Sequence, residues 1–453
     1  MTSPRQYVAL FCILFEYLFF YAMELEKKTK TDVKRKEDSR IQVFTLGCRL
    51  NIHESHVMED LAIQGGLKNA IIVNTCAVTK EAERQSHQAL RSARANNPDA
   101  YIIATGCAVQ LNPESFAAMP EVNRVIGNDG KLKKESFIQD FPYRVSVGPL
   151  ERTIQEDFPI LDHFKGKIRA FLQVQNGCDH RCAFCNIPKA RGRSRSVPLG
   201  IVVQQIRKLL CCETQEIVLT GVDLTAYGKD LPGSMSLGRM VKRVLMQVPE
   251  LKRLRLSSLD SIEIDEPLFE VLAQDERMLP HLHLSFQSGS SCILKRMQRR
   301  HTPEQALDFC HRIRQFRPEI NLTADFITGF PGETELMFEE TLSFMKEAKL
   351  GICHIFPFSP RPGTLASKLD GHLPKSEIKA RAKHLRQENQ RLFQEMLKKK
   401  LNTIQSVLIE EGAFGYTNDF IRVVLDSDLG LRQSIQQVRM VECTEKGWKG
   451  VIC

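Results

Sequence analysis

The chain has 453 residues, 42% of them hydrophobic and 26% charged, which excludes a disordered, collagenous or coiled-coil protein and leaves room for two to four globular domains. With 63 Lys and Arg against 54 Asp and Glu, the net charge of +9 is a mild cationic bias that suits a polyanionic partner without demanding one. The 14 cysteines are too sparse for the disulfide framework of a small secreted domain. Three lie within Cys178–Cys185 and three others end apolar runs, a distribution that fits metal ligation in a reducing compartment.

Residues 1–40 stand apart. Within them 7–23 (YVALFCILFEYLFFYAM) are apolar except for Glu16, near the short end for a membrane helix, and lack an A-x-A-like cleavage site. The run is either upstream of a true start at Met23 or an N-terminal anchor. As an anchor, the basic residues after it (Lys27, Lys28, Lys30, Lys34, Arg35, Lys36) would keep the body on the cytoplasmic side. No later stretch could span a membrane, so the expected location of the body is cytoplasmic.

An N-terminal domain is expected over 41–150. Short β runs at 41–47 (IQVFTLG), 70–74 (AIIVN), 101–106 (YIIATG) and 123–127 (NRVIG) alternate with helical stretches such as 52–64 and 79–96. That alternation predicts an open parallel sheet covered by helices. The first three strands end in Gly47-Cys48, Thr75-Cys76 and Gly106-Cys107. Ligands collect at the carboxyl ends of such strands, so Cys48, Cys76 and Cys107 are a candidate shared site; three ordinary buried cysteines are the alternative. Residues 131–165 read as a linker.

A second domain is expected over 165–395. Its strands are 168–174, 216–220, 253–258, 281–286, 321–327 and 351–358, separated by helices near 199–212, 236–247, 265–274, 303–315 and 335–348. Six β/α repeats predict a partial (β/α)6 barrel with its chemistry on the loops after the strands. A charged helix at 375–401 follows, and 400–453 carries short strands at 406–411, 420–425, 433–443 and 448–453. Those strands predict a small β-barrel near the lower size limit for independent stability. The fold class is therefore α/β with three successive parts.

The sharpest motif is Cys178-Asp179-His180-Arg181-Cys182-Ala183-Phe184-Cys185, a C-x3-C-x2-C loop directly after a predicted strand. Three thiols so close can wrap one metal centre with little loop-closure cost. Structural zinc would need a fourth ligand, for which His180 is a candidate. A 4Fe–4S cluster held by three cysteines leaves one iron open for a substrate, and this fits the spacing better.

The loop, opening a series of β/α repeats, resembles that of the radical S-adenosylmethionine enzymes. The body from 41 to 453 more specifically resembles the methylthiotransferases, through TLGCRLN (45–51), NTCAVT (74–79), ATGCAVQ (104–110), VQNGCDHRCAFCNIPKARGRSRS (174–196), LTGVDLTAYG (219–228), FQSGS (286–290), DFITGFPGE (325–333) and FSPRPGT (358–364). The resemblance implies two 4Fe–4S clusters. Cys178, Cys182 and Cys185 would bind the one whose open iron takes S-adenosylmethionine, which is cleaved to a 5′-deoxyadenosyl radical. Cys48, Cys76 and Cys107 would hold an auxiliary cluster carrying the sulfur to be transferred. The loops with Gly221, Asp223, Gln287 and Asp325 are candidates for cosubstrate contact, with Gly228, Ser288, Gly289 and Gly329 beside them; small-residue turns are the alternative. An electron donor and a sulfur source are required, and no stable protein partner is expected.

Arg49-Leu50 after Cys48 resembles the branch of the family acting on N6-threonylcarbamoyladenosine next to the anticodon of tRNA; Gln-Met marks the isopentenyladenosine branch and Pro-Lys the ribosomal-protein branch. The tail resembles a TRAM domain, a small RNA-binding barrel. Basic runs at Lys189–Arg195, Lys295–His301 and Lys398–Lys400 are candidates for tRNA phosphates, or else solvated faces. Cys211, Cys212, Cys292, Cys310 and Cys353 read as packing residues, and His53, His56 and His87 as surface histidines. Methylthiolation of a ribosomal protein and a noncatalytic iron–sulfur RNA-binding protein stay open as alternatives.

Overall fold

The structure is a computed structural model that describes residues 41–139, 141–150, 158–161, 164, 167–410, 412–426 and 434–453. The apolar run at 7–23 and the start at Met23 lie outside the described residues, as do residues 140, 151–157, 162, 163 and 165 of the linker. No helix among the described residues is long and apolar enough to cross a membrane. The chain divides into two compact units, one comprising Met1–Pro159 with Asn186–Gly192, the other Ile160–Cys185 with Arg193–Cys453.

The first unit is a five-stranded sheet in the order β1 (Ile41–Thr45), β2 (Ala70–Thr75), β3 (Tyr101–Gly106), β4 (Arg124–Ile126) and β5 (Val145–Ser146), parallel throughout. β2 is buried along its whole length, which is why it reads as an unbroken apolar run rather than an alternating one. The helix Lys80–Asn96 starts where the Thr79 side chain accepts from the Ala82 amide, with Glu81 and Glu83 in its first turn, both favourable at a helix N-terminus. The expected linker is partly structured: it contributes β5 and a 3-10 turn at Lys134–Phe137 whose Phe137 is fully buried.

The second unit begins with β6 (Arg169–Gln173) and a two-residue pairing of β7 (Gln175–Asn176) with β8 (Arg195–Ser196). Parallel strands β9 (Glu216–Thr220) and β10 (Leu254–Leu256) continue from β6, and β11 (His281–Gln287), β12 (Asn321–Thr328) and β13 (His354–Pro357) form a second parallel set. Single bridges, Leu254 to Met278 and Leu259 to Leu284, join the two sets, so the six main strands run in chain order as a partial barrel. A capping box of Thr302 and Gln305 with Pro303 at the first turn starts the helix Pro303–Phe316, as the Thr-Pro-x-Gln signal prescribes.

Five strands close the C-terminal barrel: β14 (Ile404–Ile409), β15 (Phe414–Thr417), β16 (Arg422–Leu425), β17 (Ser434–Thr444) and β18 (Gly447–Ile452). β15 is absent from the sequence expectation because two of its four residues, Gly415 and Thr417, give no apolar run. The barrel does not build its core alone. Phe393 and Leu397 of the helix Lys375–Lys399 pack with Val407, Val423, Val438, Met440 and Trp448, and the Trp448 indole donates to the Leu397 carbonyl at 3.2 Å. Shared burial answers the size problem of so small a barrel. Its loop at 417–421 also meets the partial barrel: Arg253 donates to Asn418 Oδ1 at 2.5 Å, and the Phe420 ring lies tilted with its centroid 5.0 Å from that of His281.

Candidate iron–sulfur sites

In the first unit the cysteines follow successive parallel strands. Cys48 is exposed while Cys76 and Cys107 are buried, and none forms a disulfide. Two glycines make the arrangement possible. Gly47 (φ +99°) and Gly106 (φ +102°) adopt left-handed conformations that favour glycine, and a Cβ would lie 2.8 Å from Cys76 Sγ at the first and 2.5 Å from the Thr75 amide nitrogen at the second. The three thiols lie within one another's electrostatic reach: Cys107 acts on both Cys48 and Cys76. Burial pushes the Cys76 thiol up to about 12, so a thiolate there calls for a cation such as a metal centre.

Behind these thiols lies a buried charge network that sequence reading missed. Asn51 donates to the carbonyls of Leu46 at 2.6 Å and Thr75 at 3.2 Å, tying the loop after β1 to the end of β2, and its Oδ1 lies 3.9 Å from Cys48 Sγ. Arg191 donates to that Oδ1 at 2.6 Å and to both carboxylate oxygens of Glu54, at 2.8 and 3.0 Å. Lys131 donates to Glu54 at 2.5 Å. All four side chains are buried. Burial alone would raise the Glu54 carboxyl, but Arg191 and Lys131 bring it to about 2. The guanidinium of Arg191 acts on all three thiols.

Arg191 is therefore no solvated member of its basic run, contrary to the expectation for Lys189–Arg195; only Lys189 and Arg193 of that run are exposed. It sits at the end of the short helix Ile187–Arg191, held in place by Asn128, which donates to the Ala190 carbonyl at 2.6 Å and reaches Cys107 Sγ at 3.8 Å. The histidines expected at the surface also differ: His53 is buried and His56 half-buried, while the half-buried His87 stacks on Phe116 at 4.4 Å. His53 lies on the inward face of the helix Arg49–Gln64, among buried Leu50, Val57 and Leu61, and His87 lies on the separate helix Lys80–Asn96.

In the second unit Cys178, Cys182 and Cys185 are half-buried, and none forms a disulfide. Gln175 anchors the start of the loop, donating to the Gly177 carbonyl at 2.7 Å and accepting from the Asp223 amide at 2.9 Å. Gly221 must be small there, since a Cβ would lie 2.8 Å from Gln175 Oε1. Asp223 Oδ2 accepts from the Cys178 thiol at 3.4 Å and lies 2.9 Å from His180 Nε2. Hydrogen bonds to Asp223 and Glu263 hold the His180 imidazole up at about 9. Burial, with Asp223 beside it, raises the Cys178 thiol. Arg299 donates to Cys182 Sγ at 3.6 Å and is braced by Asp260 at 2.9 Å.

The other candidates go elsewhere. Asp325 accepts from His354 Nδ1 at 2.9 Å and lies 3.1 Å from His283 Nε2. Gln287 sits at a bulge in β11 with φ +68°. Ser288 and Gly289 bind Thr341 Oγ1, at 3.2 and 3.1 Å. The Gly228 and Gly329 amides donate to Ser196 Oγ and Glu333 Oε2, each at 2.8 Å. The run Lys295–His301, a candidate for phosphate or else a solvated face, is largely taken up by internal pairs, Arg296 with Asp370, and Arg299 and Arg300 with Asp260, and His301 is buried. Lys398 and Lys399 are exposed, and Lys400 pairs with Asp419 at 2.6 Å. Cys310 and Cys353 are buried as expected of packing residues, whereas Cys211, Cys212 and Cys292 are exposed, because their helix ends leave the core.

Each unit thus offers three cysteines outside any disulfide, a donor set that suits an iron–sulfur cube with one iron left open. Residues 172–345 match the radical SAM superfamily, and 40–127 match the uncharacterized protein family UPF0004. A threonylcarbamoyladenosine tRNA methylthiotransferase MtaB from Rickettsia prowazekii is 47% identical over 88% of this chain and 94% of its own. One of the same name from Aquifex aeolicus is 37% identical over 82% and 93%. Among solved structures, the radical S-adenosylmethionine methyltransferase TsrM from Kitasatospora setae, with cobalamin and a [4Fe-4S] cluster bound, superposes with a TM-score of 0.54 at 12% identity, over 81% of this chain and 80% of that one, a likeness of fold.

Proposed function

The chain belongs to the MtaB family of radical S-adenosylmethionine tRNA methylthiotransferases, and we propose that its own reaction adds a methylthio group to C2 of N6-threonylcarbamoyladenosine at position 37 of tRNA, beside the anticodon. The observation that carries the substrate is a gradient of likeness. Relatives named for threonylcarbamoyladenosine reach 47% identity, whereas those named for dimethylallyladenosine stand at 28% and 30%. The Arg49-Leu50 pair after Cys48 points the same way.

In this reading Cys178, Cys182 and Cys185 hold one 4Fe–4S cluster and Cys48, Cys76 and Cys107 the other. Bound there, the clusters and S-adenosylmethionine supply the one-electron chemistry that opens the substrate C–H bond and the sulfur that replaces the hydrogen. The protein's own groups position and shield. Gln175 fixes the cysteine loop against the Asp223 amide, Asp223 and Arg299 set the charge around Cys178 and Cys182, and Asn51 orders the turn that presents Cys48. The exposed Lys189, Arg193, Lys398 and Lys399 are placed to neutralise phosphates. An electron donor and a sulfur source are needed, and the compartment that supplies tRNA to reduced thiols is the cytoplasm.

Mass analysis of tRNA nucleosides from a strain lacking this chain tests the reading. The 2-methylthio derivative of threonylcarbamoyladenosine should vanish while threonylcarbamoyladenosine itself remains, and the chain should restore it. Loss of the methylthio derivative of isopentenyladenosine instead would transfer the enzyme to the other tRNA branch.

A further inference from the structure

We propose that His283, Asp325 and His354, on three adjacent strands of the partial barrel, form a binding site for a divalent first-row metal ion that uses no cysteine. The inference stands apart from the cluster assignment, since none of the six cluster thiols takes part in it.

The sheet brings the three side chains together. Asp325 of β12 lies opposite His354 of β13 in the parallel register. His283 of β11 lies opposite Thr323, which shares a face of β12 with Asp325 because successive side chains of a strand alternate. Asp325 Oδ1 is 2.9 Å from His354 Nδ1 and 3.1 Å from His283 Nε2, and the donor atoms of all three lie within 4.8 Å of one another. Donors that share one ion at bonds of about 2.0–2.2 Å stand roughly 3–3.5 Å apart, so the carboxylate needs only a small displacement to admit the ion. The site is open enough for an ion to enter, with side-chain exposures of 33% for His354, 22% for Asp325 and 10% for His283.

The neighbouring hydroxyl sets the ring nitrogens as a metal ligand requires. Thr323 Oγ1 donates to the Leu282 carbonyl at 3.3 Å, so it accepts from His283 Nδ1–H at 2.9 Å and from His281 Nε2–H at 3.1 Å. A hydrogen bond from the far nitrogen is how metal-binding histidines are commonly held. In the neutral His283 ring, Nε2 then carries the lone pair, and it points at a carboxylate oxygen. Two such acceptors at this distance repel unless a cation lies between them. A proton answers that need for one imidazole, but here two imidazoles from different strands converge on a single oxygen. Burial would raise the Asp325 carboxyl, yet His283 and His354 hold it far below its ordinary value of 3.8, so the ligand is already ionised. Two imidazoles and one carboxylate suit zinc or a neighbouring divalent ion. Three protein ligands leave a coordination position open, which would take water or an oxygen donor such as a carboxylate.

The test uses the full chain with its clusters reconstituted anaerobically, so that their thiols are occupied, dialysed against zinc held at a fixed free level by a chelator. Zinc and iron are counted together, and X-ray absorption at the zinc edge reads the donors. About one zinc per chain is expected, with nitrogen and oxygen at about 2.0–2.2 Å, imidazole scattering and no sulfur near ~2.3 Å. His283→Ala, Asp325→Asn and His354→Ala should each raise the free zinc needed for half-occupancy by roughly tenfold or more, and Thr323→Val by about tenfold, with iron and circular dichroism unchanged. Zinc bound through sulfur, or zinc kept undiminished when His283 and His354 are both changed to Ala, overturns the proposal by placing the ion elsewhere. An unaltered chain that binds no zinc overturns it as well, and leaves the three side chains a proton-linked network. The absorption spectrum is read on the unaltered chain, so a variant that fails to fold does not remove the test.

Discussion

Arg299 places a guanidinium nitrogen 3.6 Å from the sulfur of Cys182, the middle thiol of the loop, while Asp260 and the Ser285 carbonyl hold its other nitrogen at 2.9 and 2.8 Å. A cation braced on two sides stabilises added negative charge on a thiolate-bound centre, and groups that touch metal ligands are worth about 10–100-fold in affinity or activity. Arg299→Met should therefore lower the yield of 5′-deoxyadenosine from S-adenosylmethionine under dithionite by roughly tenfold, with Arg299→Lys intermediate. Equal yields at equal iron content would show that the contact is only packing.

The two thiol triads divide the labour in separable ways. Replacing Cys178, Cys182 and Cys185 by Ala should remove about half of the bound iron and all S-adenosylmethionine cleavage. Replacing Cys48, Cys76 and Cys107 should also remove about half of the iron, yet leave cleavage in place and abolish methylthio transfer. Iron analysis and product chromatography on the same preparations decide it, and retention of methylthio transfer by the second variant would refute the assignment.

Glu216 gives the fold a dependence on acid. It accepts from Arg169 at 2.8 Å, Arg253 at 2.9 Å and Arg255 at 3.0 Å, fully buried. Burial alone would raise its carboxyl, but the three arginines hold it far below its ordinary value of 4.5. A carboxylate depressed in the folded state stabilises it fully above the unfolded value and loses that contribution as the pH falls toward the folded one. The urea midpoint should therefore be flat with respect to this group above about pH 4.5 and drop below it. Glu216→Gln should cost ~3–5 kcal/mol at neutral pH, because it strands buried arginines, and should flatten the acid limb.

For tRNA, exposure separates residues that the basic runs group together. Lys189 and Arg193 are exposed whereas Arg191 is not. The double change Lys189→Glu and Arg193→Glu should weaken tRNA binding and reduce the slope of log K against log salt by about 1–2, with circular dichroism and iron content unchanged. Binding with an unaltered slope would take phosphate contact away from this segment.

Much of the site was legible because its signals are local. The C-x3-C-x2-C spacing needs no tertiary information to bring three sulfurs together. The ends of β1, β2 and β3 could be read from short apolar runs that stop at Gly47, Asn74 and Gly106. Parallel strands then align those ends, so three cysteines 28 and 31 positions apart become neighbours as a consequence of the sheet. The helix starts at Thr79 and Thr302 were likewise written in adjacent residues.

The groups around the thiols were not legible, since nothing in their spacing pairs them. Lys131 meets Glu54 across 77 positions and Arg191 meets it across 137, and in a linear reading each is one more charged residue in a polar stretch. Burial decides their meaning, and burial is a property of the packed unit. The same holds for His53, drawn inward with its helix face, and for the C-terminal barrel, whose Trp448 finds its hydrogen-bond partner on a helix that precedes the barrel. The sequence by itself determined the order of the longer strands and helices and the two groups of cysteines, because these depend on periodicity and near neighbours. Only the tertiary structure decided which charges face those thiols, because a charge loses its water, and gains its influence, only when distant parts of the chain close over it.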